Sequence, residues 1–192
     1  MRLAVLVGSP RPASRTLAVA TAAAAAVARH AGLSSGCKVV DLSTLARRLL
    51  LPEPSAAVED AVSVVLHADL LLVASPTYKG TYTGLLKVFL DRLPDRALAG
   101  ASALPLLVMN SPEQSRAVDA YLRPLLTELG ATVPAPALAV LESDLARPDD
   151  VLEPWARQVT DALRPAAGRD HHRPDGSVSA MAAGPYSTVT GR

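Results

Sequence analysis

Aromatic side chains are scarce in this 192-residue chain, with one tryptophan, one phenylalanine and four tyrosines making up 3% of it. Cysteine is scarcer still: Cys37 stands alone, which excludes an internal disulfide and fits a reducing compartment. A surplus of either charge is also missing, because 19 lysines and arginines face 18 aspartates and glutamates for a formal net charge of +1. That balance argues against nucleic acid or an anionic membrane surface as a partner. No basic segment precedes a long apolar run, so neither a signal peptide nor a membrane span is expected. The expectation is a cytoplasmic protein whose length suits one domain.

What is present is a regular alternation. Five short apolar runs recur: Leu3–Val7, Lys38–Leu42, Leu70–Ala74, Leu104–Met109 and Ala137–Leu141. Most lack polar/apolar alternation, as in strands covered on both faces and hence in a parallel sheet. Between and after them, Ser14–Ala31, Ser55–His67, Thr83–Leu93, Gln114–Gly130 and Val151–Leu163 have helical length and spacing. Strict β-α alternation with five strands predicts a three-layer, doubly wound α/β fold. The expected domain covers residues 1–164. From Pro165 to Arg192 the chain is rich in Gly, Pro, Ser and small residues, and is expected to be a flexible tail or an arm that orders on a partner subunit.

The few aromatics are not scattered. Tyr78, Tyr82 and Phe89 all fall within SPTYKGTYTGLLKVFLDRLP (Ser75–Pro94), at a predicted strand-to-helix turn. In such sheets ligands bind beyond the carboxyl ends of the strands, where the winding reverses. Three loops leave those ends: GSPRPASRT after the first strand, SPTYKGTYTG after the third and NSPEQS after the fourth. The first offers hydroxyls from Ser9, Ser14 and Thr16, the Arg11 guanidinium and a helix N-terminus, a set suited to a phosphate. A plain turn with Ser14 as helix N-cap is the competing interpretation. With one glycine, the loop matches neither G-x-G-x-x-G nor the Walker pattern. In the second loop Pro76 stiffens the turn, Gly80 and Gly84 admit close backbone approach, and Tyr78 and Tyr82 offer flat faces with polar tips. A phosphate end and a flat end together describe a mononucleotide such as FMN.

GSPRPASRT and SPTYKGTYTGLLKVFLDRLP, with DRLPDRALAG and VDAYLRPLLTELGA further on, resemble the NAD(P)H-dependent FMN reductases of flavodoxin-like fold. The similarity runs from Met1 to about Leu163 and is greatest to the reductase components of two-component alkanesulfonate monooxygenases. It implies strand order 2-1-3-4-5 and a homodimer or homotetramer. It also implies FMN contacts at Ser9, Arg11, Ser14, Thr16, Pro76, Thr77, Tyr78, Lys79 and Tyr82. After the fourth strand these relatives typically carry Thr-Gly-Gly where this chain has Val108, Met109 and Asn110. Side chains there are expected to reshape the flavin wall, with Asn110 and Ser111 as replacement polar contacts.

The implied activity is hydride transfer from NAD(P)H to FMN, supplying reduced FMN to a partner monooxygenase. Two alternatives are a reductase of quinones or azo compounds that holds FMN as a prosthetic group, and an FMN-binding protein without reductase activity. No catalytic acid or base is required, because the flavin carries the chemistry. Lys79 and Arg116 are candidate contacts to nicotinamide phosphates, although solvated surface charge is the commoner role. His30 and His67 are expected at helix surfaces or ends, Cys37 buried and inert, and Asp41 without a ribose partner. The run DHHRPD (Asp170–Asp175) is a weak metal motif without framing cysteines.

Overall fold

The structure, a computed structural model, describes residues 1–34 and 36–164. The apolar runs form β1 (Leu3–Val7), β2 (Lys38–Asp41), β3 (Leu70–Pro76), β4 (Ser102–Met109) and β5 (Leu138–Leu141). All neighbours pair in parallel, in the order β2-β1-β3-β4-β5 expected from the sequence. The central strands β1, β3 and β4 are buried almost end to end, whereas the edge strand β2 opens with two exposed residues and β5 alternates buried with partly buried ones. Continuous apolar runs therefore mark the strands with helices on both sides.

Successive residues point to opposite faces, so each strand feeds two cores. Leu3, Val5, Val7, Leu72, Leu104 and Val108 pack against helices α1 (Arg15–His30) and α6 (Asp149–Leu163). Ala4, Leu6, Leu71, Val73 and Leu107 pack against α3 (Ala56–Leu66), α4 (Gly84–Leu90) and α5 (Arg123–Glu128). A short α2 (Ala46–Leu49), unforeseen in the sequence, lies between β2 and α3. Trp155 anchors α6: its ring is buried and its Nε1 donates to the Pro136 carbonyl at 2.9 Å. Phe89 anchors α4 and is 0% exposed.

The predicted helix Gln114–Gly130 is not uniform. It is preceded by a 3₁₀ turn (Pro112–Ser115), contains a π-helical turn (Val118–Leu122), and becomes α-helical at Arg123. Pro124, which has no N–H to donate, lies just after the π-helical turn. The helix stops where Gly130 takes φ +90. Among the described residues, no helix is long and apolar enough to cross a membrane. The Pro165–Arg192 segment and the Asp170–Asp175 motif lie outside the described residues.

Candidate active site

The order β2-β1-β3 places the reversal of winding between β1 and β3. Their ladder continues past β1, where the Gly8 N–H donates to the Ala74 carbonyl at 2.7 Å. A buried hydroxyl relay fixes the loops above this point. Thr83, 3% exposed, caps α4 by accepting from the Leu86 N–H at 3.2 Å, and its hydroxyl donates to the Gly8 carbonyl. The Thr83 N–H donates to Ser75 Oγ at 3.0 Å, and the Ser75 hydroxyl donates to the Pro76 carbonyl at 2.9 Å. Gly8 is required by this packing, because a Cβ there would stand 2.6 Å from Leu86 Cβ. The end of β1 and the start of α4 are thus locked together, which sets the spacing of two loops.

In the first loop Ser14 is the N-cap of α1, its Oγ accepting from the Leu17 N–H at 3.1 Å. That bond uses an acceptor lone pair and leaves the hydroxyl proton available to another acceptor. The competing N-cap interpretation and the anion-binding one are therefore compatible. Ser9 is buried, and its Oγ accepts from the Arg11 N–H at 3.3 Å. Thr16 is buried in the first turn of α1, and Arg11 is exposed. Just before the cap, Ala13 takes φ 50, a left-handed conformation that a residue with a Cβ adopts at a cost.

The second loop is a tight hairpin. Tyr78 and Thr81 exchange backbone bonds of 2.8 and 3.3 Å around Lys79 and Gly80, whose φ values of 53 and 86 are both positive. Positive φ at both central residues is the type I′ pattern, which glycine and asparagine tolerate better than lysine. Tyr78 is 41% exposed, while Tyr82 is half-buried against the α4-side core. The two rings therefore do not make a matched pair of faces. Thr77 Oγ1 and Thr81 Oγ1 are buried without a hydrogen-bond partner. Such hydroxyls cost roughly 1–3 kcal/mol unless something bonds them.

At the third loop, Val108 and Met109 lie inside β4 and are buried there, with Val108 paired to Pro76 and Val140. The loop proper begins at Asn110, which of the three positions is the one exposed at the strand end. Its N–H donates to Gln114 Oε1 at 3.3 Å. With its amide nitrogen turned toward β5, Asn110 donates to both carboxylate oxygens of Glu142 at 3.0 Å. Ser111 precedes the 3₁₀ turn and is partly buried. Glu142 also pairs with Arg15, the first residue of α1, at 2.7 Å.

The sequence matches the family of NADPH-dependent FMN reductases over residues 1–144. The chain belongs to that family. It is 37% identical over 133 residues to an FMN reductase (NADPH) of Escherichia coli, covering 68% of each chain. It is 31% identical over 164 residues to the NADH-dependent FMN reductase SfnF of Pseudomonas fluorescens, covering 83% of this chain and 86% of that one. Among solved structures, the apo form of the NADH:FMN oxidoreductase EMOB superposes with a TM-score of 0.71 at 34% identity, covering 86% and 89% of the two chains.

The chain is accordingly an NAD(P)H:FMN oxidoreductase of flavodoxin-like fold. The unpartnered Thr77 and Thr81 hydroxyls, beside a serine-rich helix N-terminus, fit a ligand with a polar ring edge and a phosphate. Bound flavin supplies the hydride chemistry itself.

Thr83, Arg15 and Glu142 went unrecognised in the sequence, since each acts through a partner distant in the chain, and Ser75 because it reads as the end of an apolar strand. Other expectations fall away from these loops. Cys37 is exposed rather than buried, because β2 is an edge strand; desolvation of the sulfur nonetheless pushes its thiol pKa up, away from thiolate reactivity. His30, at the end of α1, bonds Glu153 of α6 at 2.7 Å, and with Arg29 it holds that carboxyl below its usual range. His67 ends α3, its Nδ1 at 2.7 Å from the Ser63 carbonyl. Asp41 accepts from the Ser43 N–H at 3.0 Å and so caps a 3₁₀ turn. Lys79 and Arg116 are exposed. Among the described residues, no group of three or more His, Cys, Asp or Glu is placed to hold a metal.

Proposed function

We propose that the chain takes FMN as an exchangeable substrate, reduces it with a nicotinamide nucleotide and releases it to a flavin-dependent monooxygenase. In this account residues 1–164 are the flavin-binding domain, acting in the cytoplasm as a homodimer or homotetramer. Ser9, Arg11, Ser14 and Thr16 hold the phosphate with hydroxyl protons, a guanidinium and the α1 N-terminus. Pro76, Thr77, Tyr78, Lys79 and Tyr82 line the ring, with backbone N–H groups and the Thr77 hydroxyl bonding its edge. Asn110 and Ser111 border it from the β4 side.

The observation that carries this is the pair of unpartnered hydroxyls on a strained hairpin, locked by Thr83 next to a helix N-terminus. The chain's own task is positional: it orients the ring, excludes water beneath it and leaves a face for the nicotinamide. No side chain need move a proton. Release of the product is supported by the open rim at Tyr78 and by relatives whose names make FMN the substrate reduced. The monooxygenase partner rests on the resemblance to reductase components of two-component systems.

Ultrafiltration after an air-free reaction tests the proposal. Protein, excess NADPH or NADH and FMN are mixed, and the filtrate is assayed for reduced flavin. Reduced flavin in the filtrate at many equivalents per protein is expected. Flavin retained one-to-one with the protein, with electrons passing to quinone or azo acceptors, would overturn it.

A further inference from the structure

Arg15 lies inside the phosphate loop, where the sequence shows no role for it, and Glu142 lies outside every motif that the sequence displays; together they join that loop to the carboxyl end of the sheet. Arg15 opens α1, directly between Ser14 and Thr16. Its guanidinium is not turned to bulk solvent alone, because Nη1 lies 2.7 Å from Glu142 Oε2. With the Asn110 amide nitrogen turned toward it, the same carboxylate accepts from that amide at 3.0 Å through each oxygen. One acidic side chain thus spans the first and third loops. The second cation of the loop, Arg11, has no ion pair among the described residues.

We propose that Glu142 sets the strength of phosphate binding by neutralising Arg15, so that FMN is held loosely enough to be exchanged. The proposal rests on the reading of Ser9–Thr16 as the phosphate loop. A phosphate monoester carries about two negative charges near neutral pH. Near it the loop presents Arg11, the α1 N-terminus, and an Arg15 whose charge is cancelled. The Glu142 carboxylate itself repels the phosphate at the reach of one arginine side chain. Both effects weaken FMN and leave riboflavin, which has no phosphate, untouched. The pair is partly exposed, so its influence is modest and sensitive to salt.

Glu142→Gln removes the charge and keeps an oxygen for Arg15 or Asn110, so the two loops stay joined. FMN and riboflavin are titrated by fluorescence into wild type, Glu142→Gln and Arg15→Gln, each first checked by thermal melting without ligand. The expected gain for Glu142→Gln is about threefold to tenfold in FMN affinity, with riboflavin unchanged and the gain shrinking at high salt. Arg15→Gln, which leaves the carboxylate unopposed, is expected to weaken FMN by about threefold. The proposal is overturned if wild type prefers FMN to riboflavin but Glu142→Gln binds FMN equally or more weakly. Equal affinity of wild type for FMN and riboflavin would instead remove the phosphate-loop reading, and this proposal with it.

Discussion

At the amino end of the sheet a cleft of ≈ 510 Å³ is lined by Arg2, Lys38, Asp60, Ser63 and His67 among others, and two of its basic groups are already bonded within the protein. Arg2 bonds Asp69 with its backbone N–H at 2.7 Å and with Nη2 at 2.9 Å, and His67 bonds Ser63. At the carboxyl end the chemistry is unfinished: the buried Thr77 and Thr81 hydroxyls lack partners, as does that of Ser43 beyond β2, and Ala13 and Lys79 are left-handed. The unsatisfied hydroxyls and strained backbone, held in place by the packed Gly8–Leu86 contact and the Thr83 relay, are what the proposed ligand site rests on.

The comparison breaks most readily at Thr83. Thr83→Val removes the cap of α4 and strands the buried Gly8 carbonyl, so urea denaturation is expected to show a loss of about 2–3 kcal/mol. A loss below about 0.5 kcal/mol would mean that the two loops are not coupled through this hydroxyl. Thr81→Val sharpens the contrast, because it deletes a hydroxyl that the protein leaves unbonded. Melting of the ligand-free variant is expected to stay level or rise, while FMN affinity falls about tenfold. Unchanged affinity would remove Thr81 from the ligand surface. The smallest effect is at the hairpin tip, where Lys79→Gly is expected to stabilise the protein by about 1 kcal/mol by relieving φ 53.

Much of this was legible in the sequence because it is local. Five apolar runs, Gly130 as a helix stop and the absence of alternation in Leu70–Ala74 were enough to place a doubly wound sheet. Ser14 and Thr16 were visible because a helix N-terminus announces itself through its cap. The relay was not legible: Ser75 reads as the end of a greasy strand, and the carbonyl that Thr83 bonds lies 75 residues away. Glu142 is equally silent, since only the neighbouring of β4 and β5 brings it to Asn110, and only the sheet order brings it to Arg15. The aromatic cluster was half informative. Phe89 is the core anchor expected, but Tyr82 leans into the core and Tyr78 stays at the rim. The tight register of β4 likewise moved the expected change of wall from Val108 and Met109, which are buried strand residues, to Asn110.

If FMN binds across the carboxyl ends of β1, β3 and β4 as proposed, amide hydrogen exchange measured with and without saturating FMN will register it there. Slowed exchange across residues 8–16, 77–83 and 110–111, with the amino end unchanged, is the predicted result. Protection confined to the cleft around Arg2, Lys38 and His67, with the three loops exchanging as before, would contradict it.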